Sequence, residues 1–283
     1  MFGKGFYDPI NRKLYNLINT IGIGLAIVCA ALLIFFEWKR RKDADEPLKE
    51  SEKPFNYWFF ALCYAVAYAA LVVGTGKIGG LISIDRGGNV FVGGVLTFIP
   101  VFLVLAMFFP QNGRPTEQLE LVLPSLALNH CVSRIACLFN GCCFGVPFEP
   151  GLTYPDYSTA SMMFDSQPLF PTQPVESTVM LLCFITILVL QAKGKRTLPV
   201  FPLVFSATGF LLTFVTGGLV DGDKTYFGLR AMQLHQIAYV LAFFVGIYLL
   251  LLVIREEKGK KEKMTAKKSA ARSIPPQKKR AKR

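Results

Sequence analysis

Arg134 stands inside the apolar run that extends from Leu119 to Phe139. A cation at that depth costs about 2.5–3.5 kcal/mol or more unless it is paired or hydrated, so it marks a functional site by default. Helical spacing sets His130 four residues earlier on the same face, with Cys137 and Gly141 continuing the stripe and Asn140 beside it. A guanidinium is a planar fork that donates two parallel charge-assisted hydrogen bonds to a phosphate. Within a membrane that phosphate belongs to a lipid. The alternative is an arginine that snorkels to the outer headgroup layer from near a helix end.

Further residues could complete such a site. Gly141 and Gly145 fit a helix end that passes into a tight turn, which would bring backbone amides near whatever Arg134 holds. Gly93 and Gly94 open an apolar run and permit either close approach by a headgroup or helix packing through small residues. Gln173 and Glu176 follow Pro171 at the start of another run, where Glu176 either pairs with Arg134 or favours the helix N-terminus electrostatically. Arg230, Gln233, His235 and Gln236 crowd the entrance of the last run as secondary candidates, with a core hydrogen-bond network as the other reading. Cys142 and Cys143 invite redox or metal readings. Neighbouring cysteines rarely bridge, however, and no second Cys/His pair has zinc-like spacing, so neither metal nor cofactor is expected.

Membrane helices must position these groups. A span needs about 20 mostly apolar residues, and about seven are expected, near Leu17 to Phe36, Tyr57 to Gly74, Val90 to Phe109, Leu119 to Phe139, Val175 to Gln191, Leu198 to Leu219 and Gln233 to Ile254. The fourth is ambiguous, because Pro124, Asn129, His130, Ser133 and Arg134 interrupt it; it spans only if its polar side faces protein or water. The expected fold is therefore all-α, a polytopic membrane helix bundle with an external loop region. Basic residues at Lys39 to Lys42, Arg114, Lys193 to Arg196 and the C-terminus fall on one side, which the positive-inside rule makes cytoplasmic. The first run, with no small-residue cleavage site after it, reads as a retained helix rather than a signal peptide.

Charge sharpens the division. Of the formal net charge of +12, residues 255–283 carry +10, so the excess belongs to the tail and excludes a basic, nucleic-acid-binding core. Residues 1–254 read as the transmembrane domain and 255–283 as a disordered, basic, cytoplasmic tail. Seven cysteines without even spacing exclude a small disulfide scaffold.

Three segments resemble the prolipoprotein diacylglyceryl transferases of bacterial inner membranes. The family's Gly-Arg-x-Gly-Asn-Phe-x-Asn-Gly, which some relatives write with Cys-Cys before an aromatic residue and a further Gly, is similar to the segment from Ser133 through Arg134, Asn140, Gly141, Cys142 and Cys143 to Gly145. Its His-Pro-Thr-Gln-x-x-Glu looks like Phe170 to Glu176, and its Phe-His-Gly-Gly looks like Phe91 to Gly94. The resemblance implies an inner-membrane enzyme that moves the diacylglyceryl group of phosphatidylglycerol to the lipobox cysteine thiol in the signal peptide of a prolipoprotein. Arg134 would then bind the phosphatidylglycerol headgroup, with Asn140, Gly141, Gly93, Gly94, Gln173 and Glu176 around it and His130 as a second candidate catalytic group. The nucleophile comes from the substrate, so no cysteine of this chain is required by that reaction.

The chain departs from the family at several positions. Val92 and Phe170 replace histidines, and Gly209, Thr213 and Thr216 stand where the family's motif in the sixth span carries two arginines and a glutamate. Those losses favour the alternative of a non-catalytic lipid-binding paralogue. A thiol oxidoreductase using Cys142 and Cys143 and a small-solute transporter are the remaining classes.

Overall fold

Each expected span is a helix, because hydrocarbon offers no partner for an unpaired backbone N–H or C=O. The computed structural model describes residues 9–42, 56–82, 91–108, 114–156, 158–220, 225–226 and 229–272. The elements are α1 (Pro9–Lys42), α2 (Tyr57–Ile82), α3 (Phe91–Met107), α4 (Pro115–Asn140), β1 (Pro147–Leu152), α5 (Thr159–Phe164), α6 (Thr172–Ala192), α7 (Val200–Val220), β2 (Thr225–Tyr226), β3 (Leu229–Arg230) and α8 (Ala231–Arg272). Among the described residues, α1, α2, α4, α6 and α8 are long and apolar enough to cross a membrane, and α3 and α7 contribute shorter apolar helices. Val90 and Phe109, the expected ends of the third span, lie outside the described residues.

α4 is the innermost of the long helices: 61% of its most apolar stretch is buried, against 22% for α1. It packs between α1 and α6 and also meets α3, while α2 pairs with α3 and α7 with α8. That central position explains how an interrupted sequence forms a span, since its polar side chains face protein. Pro115 begins the helix, where a missing N–H is harmless. Gly141 ends it in the left-handed region at φ 62°, with the Gly141 and Cys142 amides donating to the carbonyls of Leu138 and Cys137 at 3.2 Å each. Trp58, Leu211 and Phe244 are 79%, 65% and 63% exposed, an apolar outer surface suited to lipid.

At the end of α4 remote from Arg134, Glu120 anchors three elements. Arg196 places Nε 2.5 Å from Glu120 Oε2 and Nη1 2.8 Å from Glu256 Oε2, and the Thr197 amide donates to Glu120 as well. The pairing fixes the α6–α7 turn and α8 to the base of α4.

The segment between α4 and α6 has a small core of Phe144, Tyr154, Ala160 and Leu169. β1 folds back on Leu169, and the amides of Gly145 and Phe170 donate to Phe170 O and Val146 O at 3.2 and 2.9 Å. α8 differs from its expected extent. It continues as helix from Arg255 through Arg272, where an unstructured tail is expected from sequence, because Glu, Lys, Ala and Met are strong helix formers whatever their charge. Residues 273–283 lie outside the described residues.

Candidate functional site

His130 and Arg134 lie one turn apart on α4 and both reach Glu176, near the start of α6. Arg134 Nη2 donates to Glu176 Oε1 at 3.1 Å, and Arg134 Nε lies 2.8 Å from Oε2 in an ionic contact off the line of a hydrogen bond. His130 Nε2 sits 2.7 Å from the same Oε1. All three side chains are withdrawn from the surface: His130 is 1%, Glu176 6% and Arg134 17% exposed. Glu176 thus pairs with Arg134 and does not act through the helix terminus alone. A buried ion pair persists only where further hydrogen bonds satisfy its members, and His130 supplies one.

The His130 ring is held between Phe91 of α3, with centroids 4.6 Å apart, and Phe205 of α7, perpendicular at 5.0 Å. Contact with the carboxylate assigns the proton to Nε2, and Nδ1 has no hydrogen-bond partner among the described residues. Tyr239 of α8 closes the cluster. Its hydroxyl lies near the Arg134 guanidinium, and its ring is tilted against Phe205 with centroids 5.6 Å apart. No sequence signal marks Tyr239; it lies in an apolar run with neither motif nor charge beside it.

Tyr239 also accounts for one departure from the family pattern. A Cβ at Gly209 would run into its ring, so the aromatic side chain occupies the space that a larger residue at 209 would need. Val92 is fully buried, Phe170 packs edge-on against Phe148 at 5.4 Å, and Thr213 returns its hydroxyl to Phe210 O at 2.5 Å. The side chain of Thr216 lies outside the described residues.

Other expected site residues take different places. Gly93 and Gly94 serve the α2–α3 contact: a Cβ on Gly94 would come within 2.8 Å of Leu71 O, and one on Gly74 within 2.8 Å of Gly93 O. Gln173 is committed to protein, with Tyr154 donating to its Oε1 and its Nε2 donating to Cys142 O, each at 2.6 Å. Burial pushes the Tyr154 phenol up to about 12, partly offset by its bond to Gln173, so it remains a donor at ordinary pH. Thr172 donates its hydroxyl to Cys143 O. Asn140 is half-buried at the end of α4, and Gly141 packs against Ser158, whose Cβ would be 2.5 Å from an added Cβ. Gln236 is half-buried, with no partner for its Nε2 among the described residues. The side chains of Arg230, Gln233 and His235 lie outside the described residues.

The turn that Thr172 and Gln173 hold brings Cys142 and Cys143 back to Cys137, and the three sulfur atoms all lie within 4.8 Å of one another. Hydrogen bonds with Cys137 and Cys142 hold the Cys143 thiol well below the ordinary thiol range, helped by the Arg134 guanidinium. Sequence reasoning weighs Cys142 and Cys143 without Cys137; the Cys-x4-Cys-Cys spacing across a helix end is the signal that could have joined them.

A family model described as prolipoprotein diacylglyceryl transferase matches residues 9–252. A phosphatidylglycerol–prolipoprotein diacylglyceryl transferase of Prochlorococcus marinus (strain MIT 9211) is 21% identical over 264 residues, covering 88% of this chain and 80% of that protein. A second protein, phosphatidylglycerol–prolipoprotein diacylglyceryl transferase 2 of Clostridium perfringens (strain 13 / Type A), is 30% identical over 151 residues, which are 52% of this chain and 55% of its own length. With the half-buried arginine of α4 inside the matched region, the chain belongs to the prolipoprotein diacylglyceryl transferase family of membrane transferases.

Proposed function

We propose that the chain transfers the diacylglyceryl group of phosphatidylglycerol to the lipobox cysteine thiol of prolipoproteins, with Arg134 holding the lipid phosphate. The observation that carries this reading is a guanidinium within the bundle, fixed along one edge by Glu176, which His130 holds in turn, and still partly exposed. Fixing one edge removes rotamer freedom before substrate arrives and leaves the remaining N–H groups for phosphate oxygens.

In the reaction the acceptor thiolate attacks the glyceryl carbon that bears the phosphoester oxygen. A carbon–sulfur bond forms, the carbon–oxygen bond breaks, and glycerol phosphate leaves with the electron pair. Charge gathers on the departing phosphate, where a preorganised cation stabilises the transition state more than the ground state. Glu176 and His130 act as positioning residues for Arg134. Asn140 and Gly141, at the C-terminal end of the same helix, are further proposed headgroup contacts. We place the protein in the bacterial inner membrane, with the Arg134 end outward and the basic C-terminus cytoplasmic, from the distribution of Lys and Arg.

The purified protein, given phosphatidylglycerol and a lipobox peptide, should add a diacylglyceryl group to the peptide by mass, and Arg134→Ala should abolish the gain. The filling of the space at Gly209 by Tyr239 favours a second reading, a paralogue that binds lipid without catalysis. Phosphatidylglycerol binding without any transfer would select it.

A further inference from the structure

We propose that Cys137, Cys142 and Cys143 form a three-thiolate zinc site whose open fourth position takes the acceptor thiol of the transfer reaction. Its second half rests on the function proposed above; the metal site itself does not.

The three sulfurs lie within 4.8 Å of one another, and all are free thiols. A zinc–sulfur bond of about 2.3 Å gives a tetrahedral edge of about 3.8 Å, so closure asks for about 1 Å of side-chain movement. The backbone is already shaped for it. Gly141 and Cys143 both adopt left-handed conformations, at φ 62° and 59°, and the second is unusual for a residue with a side chain. Gln173 and Thr172, both buried on α6, donate to the carbonyls of Cys142 and Cys143, which holds the two peptides in that course. Together they fold the chain so that residues five and six positions beyond Cys137 return to it.

An all-sulfur donor set selects a soft, thiophilic ion. Adjacent cysteines are poorly placed to bridge each other, and an odd number of thiols leaves one over from any disulfide, whereas three thiolates suit zinc. Zinc and three thiolates together carry one negative charge, and the Arg134 guanidinium lies beside Cys143. Among the described residues no His, Asp or Glu joins the three sulfurs. Three protein ligands with a vacant fourth position is the arrangement of reactive rather than structural zinc. Cys143 is exposed, so the vacancy is reachable from outside the bundle.

The reaction needs a thiolate. An acceptor thiol that binds zinc releases its proton to water and stays nucleophilic as a bound thiolate. Its sulfur attacks the glyceryl carbon, the bond to the phosphate oxygen breaks, and the electron pair leaves with glycerol phosphate toward Arg134. The thioether formed is a weak ligand and dissociates. No electron donor or acceptor is consumed. The site would supply activation that the absent family histidines and glutamate do not.

The test is zinc content of the detergent-purified full chain, with cobalt(II) as an optical probe. Wild type should retain about one zinc per chain after dialysis and, with cobalt, show thiolate-to-metal charge-transfer absorption. Cys143→Ser should weaken zinc binding by more than about 100-fold, beyond the loss expected for an outer-shell partner. The triple Cys→Ser variant should lose binding, with helical content and phosphatidylglycerol binding showing that both variants fold. A lipobox peptide should shift the cobalt spectrum, and its Cys→Ser counterpart should not. Wild type without zinc, a disulfide or copper in its place, or equal zinc affinity in the triple variant overturns the site. A cobalt spectrum indifferent to the thiol peptide overturns the acceptor role. Zinc bound together with absent transfer upholds the metal site while the transferase reading fails.

Discussion

Arg134 on α4 and Glu176 on α6 meet inside the bundle, with Nε 2.8 Å from Oε2 and Nη2 3.1 Å from Oε1. Around the pair, His130 of α4 holds the carboxylate and is itself packed against Phe205 of α7, and Tyr239 of α8 lies beside the guanidinium, which stays 17% exposed. Cation and anion nearly cancel, so the site presents a guanidinium already held in place rather than a loose charge.

Removing either partner leaves the other buried without compensation. Glu176→Ala should destabilise the protein by about 3–5 kcal/mol, and the double Arg134→Ala/Glu176→Ala variant should lose less than the sum of the single changes. Thermal melts in detergent would measure this. Additive losses would mean that the pair does not couple.

His130→Phe keeps an aromatic ring between Phe91 and Phe205 but removes the second donor to Glu176. The expected cost is about 1–3 kcal/mol, set by the unsatisfied carboxylate and not by packing. His130→Gln should recover part of it. A phenylalanine variant as stable as wild type would show that the imidazole is only filler.

Gly209→Arg restores the family's residue type and should lower stability by about 1–3 kcal/mol or more, because the Tyr239 ring fills that space. Adding Tyr239→Ala should relieve the clash and recover stability. Failure of the second change to help would place the conflict elsewhere.

Tyr154 donates to Gln173 and has its phenol raised from the ordinary value of 10 to about 12. A folded-state value above the unfolded one stabilises fully below pH 10 and loses that contribution as pH climbs toward 12. The stability difference between wild type and Tyr154→Phe should therefore be constant near pH 8 and shrink near pH 11, as read by denaturation at both. A difference that grows with pH contradicts the assignment.

The helices were legible because hydrocarbon demands long apolar runs, and the His130–Arg134 stripe because two residues four apart share a face. Glu176 was legible as a candidate only, since nothing local says which residue 42 positions away an arginine will meet. Gly93 and Gly94 left headgroup approach and helix packing equally open until the partner helix α2 was placed. Tyr239 and the grouping of Cys137 with Cys142 and Cys143 escape the sequence for a related reason: each arises by tertiary approach, one from a helix face without periodic marking, the other through a left-handed turn that returns the two later cysteines to α4. The helical stretch 255–272 is masked in the sequence by its charge density, although Glu, Lys, Ala and Met favour helix.

Binding of short-chain phosphatidylglycerol to the purified protein, compared between wild type and Arg134→Gln/Glu176→Gln, tests the account at its centre, because the paired change removes both charges without stranding either. The account predicts that affinity falls by about 10- to 150-fold, the equivalent of about 1.5–3 kcal/mol for a lost charged hydrogen-bonding group. Equal affinity in a folded double variant would contradict it.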